Sequence, residues 1–416
     1  MARDAIDEPA SPVPPRDVQD CEHSLSMAST GQIAIFVPYI HAFGGVERLI
    51  VSLSRYLHDR DLDHTIVCFD QTINFSAHAT WPMRVHELRP ARNAISEAWA
   101  LRRYFRDVHV AGGPVPLFFD LKSAFYTGLF RCPGSHLHLT DPPSLLPADI
   151  SKFAPSIRKV RPRNSSARVP GVLQNIRGEL VHQINRRGVN RAQSLITMAN
   201  ANASELKALY ARDAKVIRQG VSLPSVKPRL AGRKLKPFRL LSVSRLEQNK
   251  RLDWVFEALA KLETSDAPLS AQCDWVLDVV GDGSQAAALR DLARRLNIES
   301  RVIFHGRASD GALEALYADA ALFLMPAIQG YGLPALEALS REVPVILHRE
   351  SGVSEILGNS PWVTVIDRGR DDLALAIRTM VGNIMSGAVE KHPIPRFPTD
   401  MEWAEEIARA CGWVRG

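Results

Sequence analysis

No apolar run in this chain of 416 residues approaches the roughly 20 residues that a membrane-spanning helix needs. Cysteine is sparse. Five are scattered without CxxC spacing (Cys21, Cys68, Cys132, Cys273 and Cys411), which argues against a disulfide framework and against a zinc site and points to a reducing compartment. The chain has neither GxGxxG nor GxxxxGK[ST], so neither a dinucleotide fingerprint nor a P-loop is expected. Acids are missing between Asp149 and Glu179, where Lys152, Arg158, Lys159, Arg161, Arg163, Arg168 and Arg177 fall. Such a run reads either as a solvated loop or as a surface for an anionic membrane or a phosphate-bearing acceptor. It carries almost no aromatic side chains, so nucleic acid is not expected as a partner. Residues 1–30 hold acids, prolines and serines with no secretory h-region, and read as a disordered tail.

What remains is rich in apolar segments. Hydrophobic residues make up 46% and charged residues 23%, with a net charge of +6, the composition of a soluble globular protein. The length predicts two domains. Short apolar strands alternate with helical spacing: Ile33–Val37, then Val46, Leu49, Ile50, Leu53 and Leu57, then His64–Phe69. Weaker strands follow near Val85, at Leu117–Phe119 and at Leu137–Leu139, and the half closes with a helix near Asn202–Tyr210 and a strand at Ala214–Ile217. Residues 31–220 read as one α/β domain, 221–237 as a linker holding three prolines, 238–395 as a second α/β domain and 396–416 as a C-terminal helical segment. The second half alternates strictly: strands at Phe238–Val243, Trp275–Val280, Arg301–His305, Ala321–Met325 and Pro344–Leu347, with helices between them. That pattern predicts a parallel sheet covered on both faces, with ligands outside the carboxyl ends of its strands.

The densest chemistry lies in Gln329-Gly330-Tyr331-Gly332-Leu333-Pro334-Ala335-Leu336-Glu337. The two glycines permit a tight turn and close approach of a ligand. The free N–H groups near Gly332 and Leu333, at a helix start, suit a diphosphate. Glu337, about one turn on, is placed to accept two hydrogen bonds from a diol such as a ribose. Arg245 and Lys250 follow the first strand of this half, where a fork and a point charge suit the same diphosphate. Gly281 ends the second strand, as a tight turn or as a wall of a nucleotide pocket. Gly44 and Gly45 open the first long helix, as a plain turn or as a point of close approach to phosphate or acceptor. His136, His138, Thr140 and Asp141 sit at a strand end, for proton transfer, sugar hydroxyls or structure alone.

Together, in this order and spacing, Gly44-Gly45-Val46-Glu47-Arg48, Ser244-Arg245-Leu246 with Lys250, Val280-Gly281-Asp282-Gly283, Val302–Gly306 and Gly330–Pro334 with Glu337 resemble the family-4 glycosyltransferases. The resemblance covers nearly the whole chain after about residue 31. It implies a GT-B architecture, two Rossmann-like doubly wound domains facing across a cleft. It further implies retaining, metal-independent transfer of a hexosyl group from a nucleotide sugar, with no cofactor. Residues matching Arg245 and Lys250 hold the donor diphosphate in that family, helped by N–H groups near Gly332 and Leu333. The residue matching Glu337 holds the ribose, and the loop matching Gly44-Gly45 lies by donor and acceptor.

Two positions depart from the family pattern. Gln329 replaces the first glutamate of the E-x7-E motif, keeping an acceptor but losing the charge. Thr140 stands where many relatives carry histidine, with His138 the nearest substitute. The expected function is therefore transfer from GDP-mannose or a UDP-sugar to a glycan or polyprenyl-diphosphate-linked acceptor in cell-surface polysaccharide biosynthesis. The expected setting is the cytoplasm, with peripheral contact at the inner membrane face. The alternatives are a GT-B-like binding or scaffold subunit that has lost transfer, motivated by Gln329, and a GT-B-like epimerase.

Overall fold

The computed structural model describes residues 32–41, 43–107, 113–132, 134–143, 172–224, 230–233 and 235–414. The 1–30 tail lies outside them, as do the residues from Lys152 to Arg168 and the side chain of Arg177.

The first sheet has seven parallel strands: β1 (Ile33–Phe36), β2 (His64–Cys68), β3 (Val85–Glu87), β4 (Leu117–Phe119), β5 (His136–Leu139), β6 (Ser194–Thr197) and β7 (Lys215–Val216). Their order is β3-β2-β1-β4-β5-β6-β7. Strands β1, β2, β4 and β5 are buried along their whole length; β1 and β4 read as continuous apolar runs for that reason, whereas β5 buries the alternating His136-Leu137-His138-Leu139. Helix α1 (Gly45–His58) turns Leu49, Ile50, Leu53 and Leu57 inward. Helices α2 (Ala94–Asp107), α3 (Asp120–Leu129), α4 (Val172–Arg191) and α5 (Asn200–Tyr210) complete this domain. At the α3–α4 crossing a Cβ on Gly188 would lie 1.7 Å from the Ala124 carbonyl oxygen, so only glycine permits this approach.

The second sheet has six parallel strands: β8 (Phe238–Val243), β9 (Trp275–Val280), β10 (Val302–Gly306), β11 (Leu322–Met325), β12 (Val345–His348) and β13 (Val363–Ile366), ordered β10-β9-β8-β11-β12-β13. Helices α6 (Leu252–Glu263), α7 (Ala286–Arg295), α8 (Asp310–Asp319), α9 (Leu333–Ser340) and α10 (Arg370–Met385) cover it. Leu240, Leu241, Leu277, Phe323, Leu324 and Ile346 are fully buried at its centre, each contributing about 1.5–3 kcal/mol through apolar burial. The strand order reverses between β8 and β11, paired at Leu240–Leu322 and Leu241–Phe323. The crevice above that reversal is where a doubly wound sheet receives a ligand.

The chain returns to the first domain at its end. Val221 bridges Thr399, and a Cβ on Gly220 would lie 2.0 Å from the Thr399 carbonyl oxygen. Helix α11 (Asp400–Ala410) then lies against α1 and buries Trp403 and Ile407. Trp413 donates to the Val115 carbonyl at 2.9 Å. No helix among the described residues is long and apolar enough to cross a membrane.

Candidate donor site in the interdomain cleft

Three loops meet above the carboxyl ends of β8 and β11. The loop after β8 carries Arg245 on the surface, then a 3-10 turn at Gln248–Lys250. This loop is fastened to the one after β11, because Ile328 N–H donates to the Asn249 carbonyl at 2.8 Å and the Asn249 amide donates to the Ile328 carbonyl at 3.0 Å. Lys250 Nζ donates to Gln329 Oε1 at 2.7 Å. Gln329 Nε2 in turn lies 2.8 Å from Met325 Sδ and 3.1 Å from Ser351 Oγ.

Gly332 caps α9 with φ at +117°, a conformation that L side chains rarely adopt. A Cβ there would sit 2.5 Å from Gln329 Nε2 and 2.7 Å from Ser351 Oγ. Lys250, Gln329 and the start of α9 therefore form one contiguous patch. The Arg245 side chain makes no hydrogen bond or ion pair with any described residue, but its charge acts on Lys250. Burial, and then the charge of Arg245, push the Lys250 ammonium down to about 8, with Asp141 pulling it back up.

Glu337, one turn into α9, is mostly enclosed, with 15% of its side chain exposed. Its Oε2 accepts from the Tyr317 hydroxyl at 2.9 Å, and its Oε1 accepts from Arg48 Nη1 at 2.9 Å. Arg48 belongs to α1 of the opposite domain, and its Nη2 also reaches Asp310 at 3.3 Å. A cavity of about 330 Å³ opens beside this junction, lined by Phe43, Arg48, Asp310, Tyr317, Leu333 and Glu337 among others. Gly44 and Gly45, at the start of α1, are not among its lining residues. The Gly44 N–H donates to Glu47 at 3.0 Å, and a side chain at Gly45 would meet nothing within 4 Å.

Other glycines serve the frame. Gly281 has φ at +127°, and a Cβ there would fall 1.8 Å from the Ser244 carbonyl oxygen. It holds the ends of β8 and β9 together beneath the Arg245 loop. Across the cleft, a Cβ on Gly330 would meet Asp141 Oδ1 at 2.7 Å, Pro142 Cδ at 2.9 Å and the Thr140 carbonyl oxygen at 3.0 Å. The domains thus touch directly at the Gln329 turn. Glu355 fastens the same face. It accepts from the backbone N–H groups of Asn200 and Ala201 at 2.8 and 2.9 Å and from Arg218 at 2.6 Å.

His138 requires correction. It was expected at the cleft as the substitute for the family histidine. It is instead fully buried in β5, with neither ring nitrogen hydrogen-bonded. Phe119 lies 5.0 Å away and Trp403 of α11 lies 5.9 Å away, centroid to centroid. Burial pushes its imidazole down to about 3, so it is neutral. The face of β5 that alternation assigns to His138 is the one α11 covers.

Thr140, at the strand end, donates to Asp120 at 3.2 Å. Asp120 begins α3 with φ at +71°. Burial and the nearby Asp141 raise its carboxyl to about 6. Asp120 and Arg48 join the site only in three dimensions. An aspartate directly after the apolar Leu117–Phe119 run was the available signal for the first, whereas nothing local marks the second.

Residues 228–383 match the model of the family described as glycosyl transferases group 1. The N-acetyl-alpha-D-glucosaminyl L-malate synthase of Bacillus anthracis is 32% identical over 118 residues, 28% of this chain and 29% of that protein. A lipopolysaccharide 1,6-galactosyltransferase of Salmonella typhimurium is 31% identical over 145 residues, 34% of this chain and 38% of that protein. The chain therefore matches well under half the length of these curated relatives. Solved structures align over much more. The lipopolysaccharide outer core galactosyltransferase WaaB gives a TM-score of 0.62 at 18% identity, covering 92% of this chain and 99% of that one. Anabaena Alr3699/HepE in complex with UDP and glucose gives 0.64 at 17% identity, covering 92% and 99%. Two parallel-sheet α/β domains facing across a cleft, aligned with these structures over nearly their whole length, give the chain a GT-B fold with a glycosyl transferases group 1 region at residues 228–383.

Proposed function

We propose that the chain is a retaining, metal-independent glycosyltransferase of the family-4 type. It moves a hexosyl group from GDP-mannose or a UDP-sugar onto a glycan or polyprenyl-diphosphate-linked acceptor in cell-surface polysaccharide biosynthesis. The observation that carries this reading is the convergence of Lys250, Gln329 and the N-terminus of α9, with Arg245 beside them. A diphosphate leaving there gathers negative charge as the bond to the sugar C1 breaks and the acceptor oxygen bonds that carbon. Two preorganised cations and a helix N-terminus stabilise that charge without a metal. Glu337 and the cavity beside it suit the ribose and base. The relatives support the same class: one is a GDP-mannose-dependent mannosyltransferase from Mycolicibacterium smegmatis, 30% identical over 155 residues.

Under this reading the protein works in the cytoplasm, and the basic run at Lys152–Arg177 meets an anionic membrane face. A screen of GDP- and UDP-sugars by mass spectrometry, with lipid-linked and free glycan acceptors, tests it. Donor-dependent mass gain on an acceptor supports transfer, and its absence with every donor rejects it.

Gln329 favours one second reading, a binding subunit without transfer. The side chain meets Lys250 with a neutral amide where the family motif has a carboxylate. Robust turnover by the wild type rejects this alternative.

A further inference from the structure

We infer that Arg48 is an internal competitor for the nucleotide's ribose: it ties the two domains together at Glu337 and gives way when a donor's ribose binds that carboxylate. This rests on the reading of Glu337 as the ribose-holding carboxylate. A ribose diol presents two hydroxyl donors, and Glu337 has two oxygens to receive them. Each already accepts one bond, Oε1 from Arg48 at 2.9 Å and Oε2 from Tyr317 at 2.9 Å, so a diol that bridges both oxygens meets the Arg48 guanidinium at one of them. Tyr317 is fully buried beside α9 in the same domain, so it is a fixed part of the site. Arg48 comes from the other domain, 289 residues away in the chain.

The Arg48 grip is made to yield. Its side chain is 38% exposed, and its second partner, Asp310, is 76% exposed and 3.3 Å away. Ion pairs of that exposure are weak. The guanidinium also lies 5.9 Å from the Phe43 ring, at the lip of the cavity. Arg48 therefore lines the cavity beside Glu337, and its bond to that carboxylate ties α1 to α9. A ligand whose competent site is only partly open binds with an affinity reduced by that open fraction. Removing the competitor restores the lost affinity.

The sign of the effect separates this from the ordinary expectation. An arginine that merely attracts phosphate weakens nucleotide binding when removed. An arginine that blocks the ribose carboxylate strengthens it.

The test is isothermal titration of UDP, GDP and their 2′,3′-dideoxy analogues into the wild type, Arg48→Ala and Asp310→Asn. Arg48→Ala is expected to bind the preferred ribonucleotide roughly two- to tenfold more tightly, with the dideoxy analogue gaining less because it makes no demand on Glu337. Asp310→Asn, which loosens only the second arm, is expected to shift the same way by less. Unchanged or weaker ribonucleotide binding by Arg48→Ala overturns the inference. If no nucleotide binds any of the three proteins, the donor-site reading itself fails, and this inference with it.

Discussion

Lys250 donates to Gln329 across 2.7 Å, joining two strand ends that are 79 residues apart in the chain. The lysine is enclosed, repelled by Arg245 and partnered by a neutral amide, so its ammonium is held down to about 8. Under the proposed donor reading, a diphosphate bound at this point would supply the negative charge that the amide lacks.

Nucleotide affinity should therefore depend on pH in one direction. Lys250 is charged below about 8, and a bound anion raises its pKa. Binding above that pH takes up a proton, so the affinity for UDP or GDP is expected to fall by up to about tenfold per pH unit above 8. Titrations between pH 7 and 9.5 read the slope, and Lys250→Gln is expected to abolish it. The same depression is expected to make the folded state gain stability as pH rises from about 8 towards the ordinary lysine value, because the unfolded chain then holds the extra proton.

Gln329→Glu places a carboxylate beside the Lys250 ammonium. The ion pair should raise the Lys250 pKa by about one unit or more, moving the pH-dependent loss of binding upward by the same amount. A gain in turnover would accompany it if the native amide limits support for positive charge developing on the sugar.

Gly330→Ala probes the contact between domains. The new methyl would crowd Asp141, Pro142 and the Thr140 carbonyl at 2.7 to 3.0 Å, all of them in the opposite domain. Nucleotide binding to the second domain alone should change by less than about threefold, whereas turnover should fall between about tenfold and a hundredfold, since misplaced closure costs catalysis more than binding. Parallel titration and initial-rate measurements separate the two.

His138 predicts acid sensitivity. Its buried, neutral ring is pushed down to about 3, while the unfolded histidine protonates near 6.5. The unfolded state binds the extra proton between those values, so stability is present above pH 6.5 and is lost as pH falls below it, by up to about 1.4 kcal/mol per unit. Denaturation midpoints from pH 7.5 to 4.5 read this slope, and His138→Leu is expected to flatten it.

The second domain was largely legible because its buried parallel strands are mostly apolar runs, as at Phe238–Val243 and Trp275–Val280, where the interrupting Arg239 and Asp278 pair with each other at 2.8 Å. The first domain was less so. Strand β4 and helix α3 form one unbroken stretch, Leu-Phe-Phe-Asp-Leu-Lys-Ser-Ala-Phe-Tyr, and the break comes at Asp120, with a positive φ that aspartate adopts only occasionally. Alternation correctly puts His138 on one face of β5, but what covers that face is Trp403, from a helix more than 250 residues later. The Arg48–Glu337 bond is equally invisible from local pattern, since Arg48 alone reads as an exposed helical charge and Glu337 as a ligand-holding carboxylate, and neither segment points to the other. Arg245, Lys250, Gln329 and Gly332 could be found because strand ends in a parallel sheet converge by topology.

The central claim is that the crevice between β8 and β11 is a preformed cradle for a pyrophosphate. Titration of UDP and GDP into the wild type and Arg245→Ala tests it most directly, because Arg245 is exposed and its side chain makes no bond with the described residues that the fold depends on. The account predicts that at least one nucleotide binds the wild type and that the variant loses about tenfold or more in affinity. Equal affinity in the two proteins, or no binding of either nucleotide to the wild type, would contradict it.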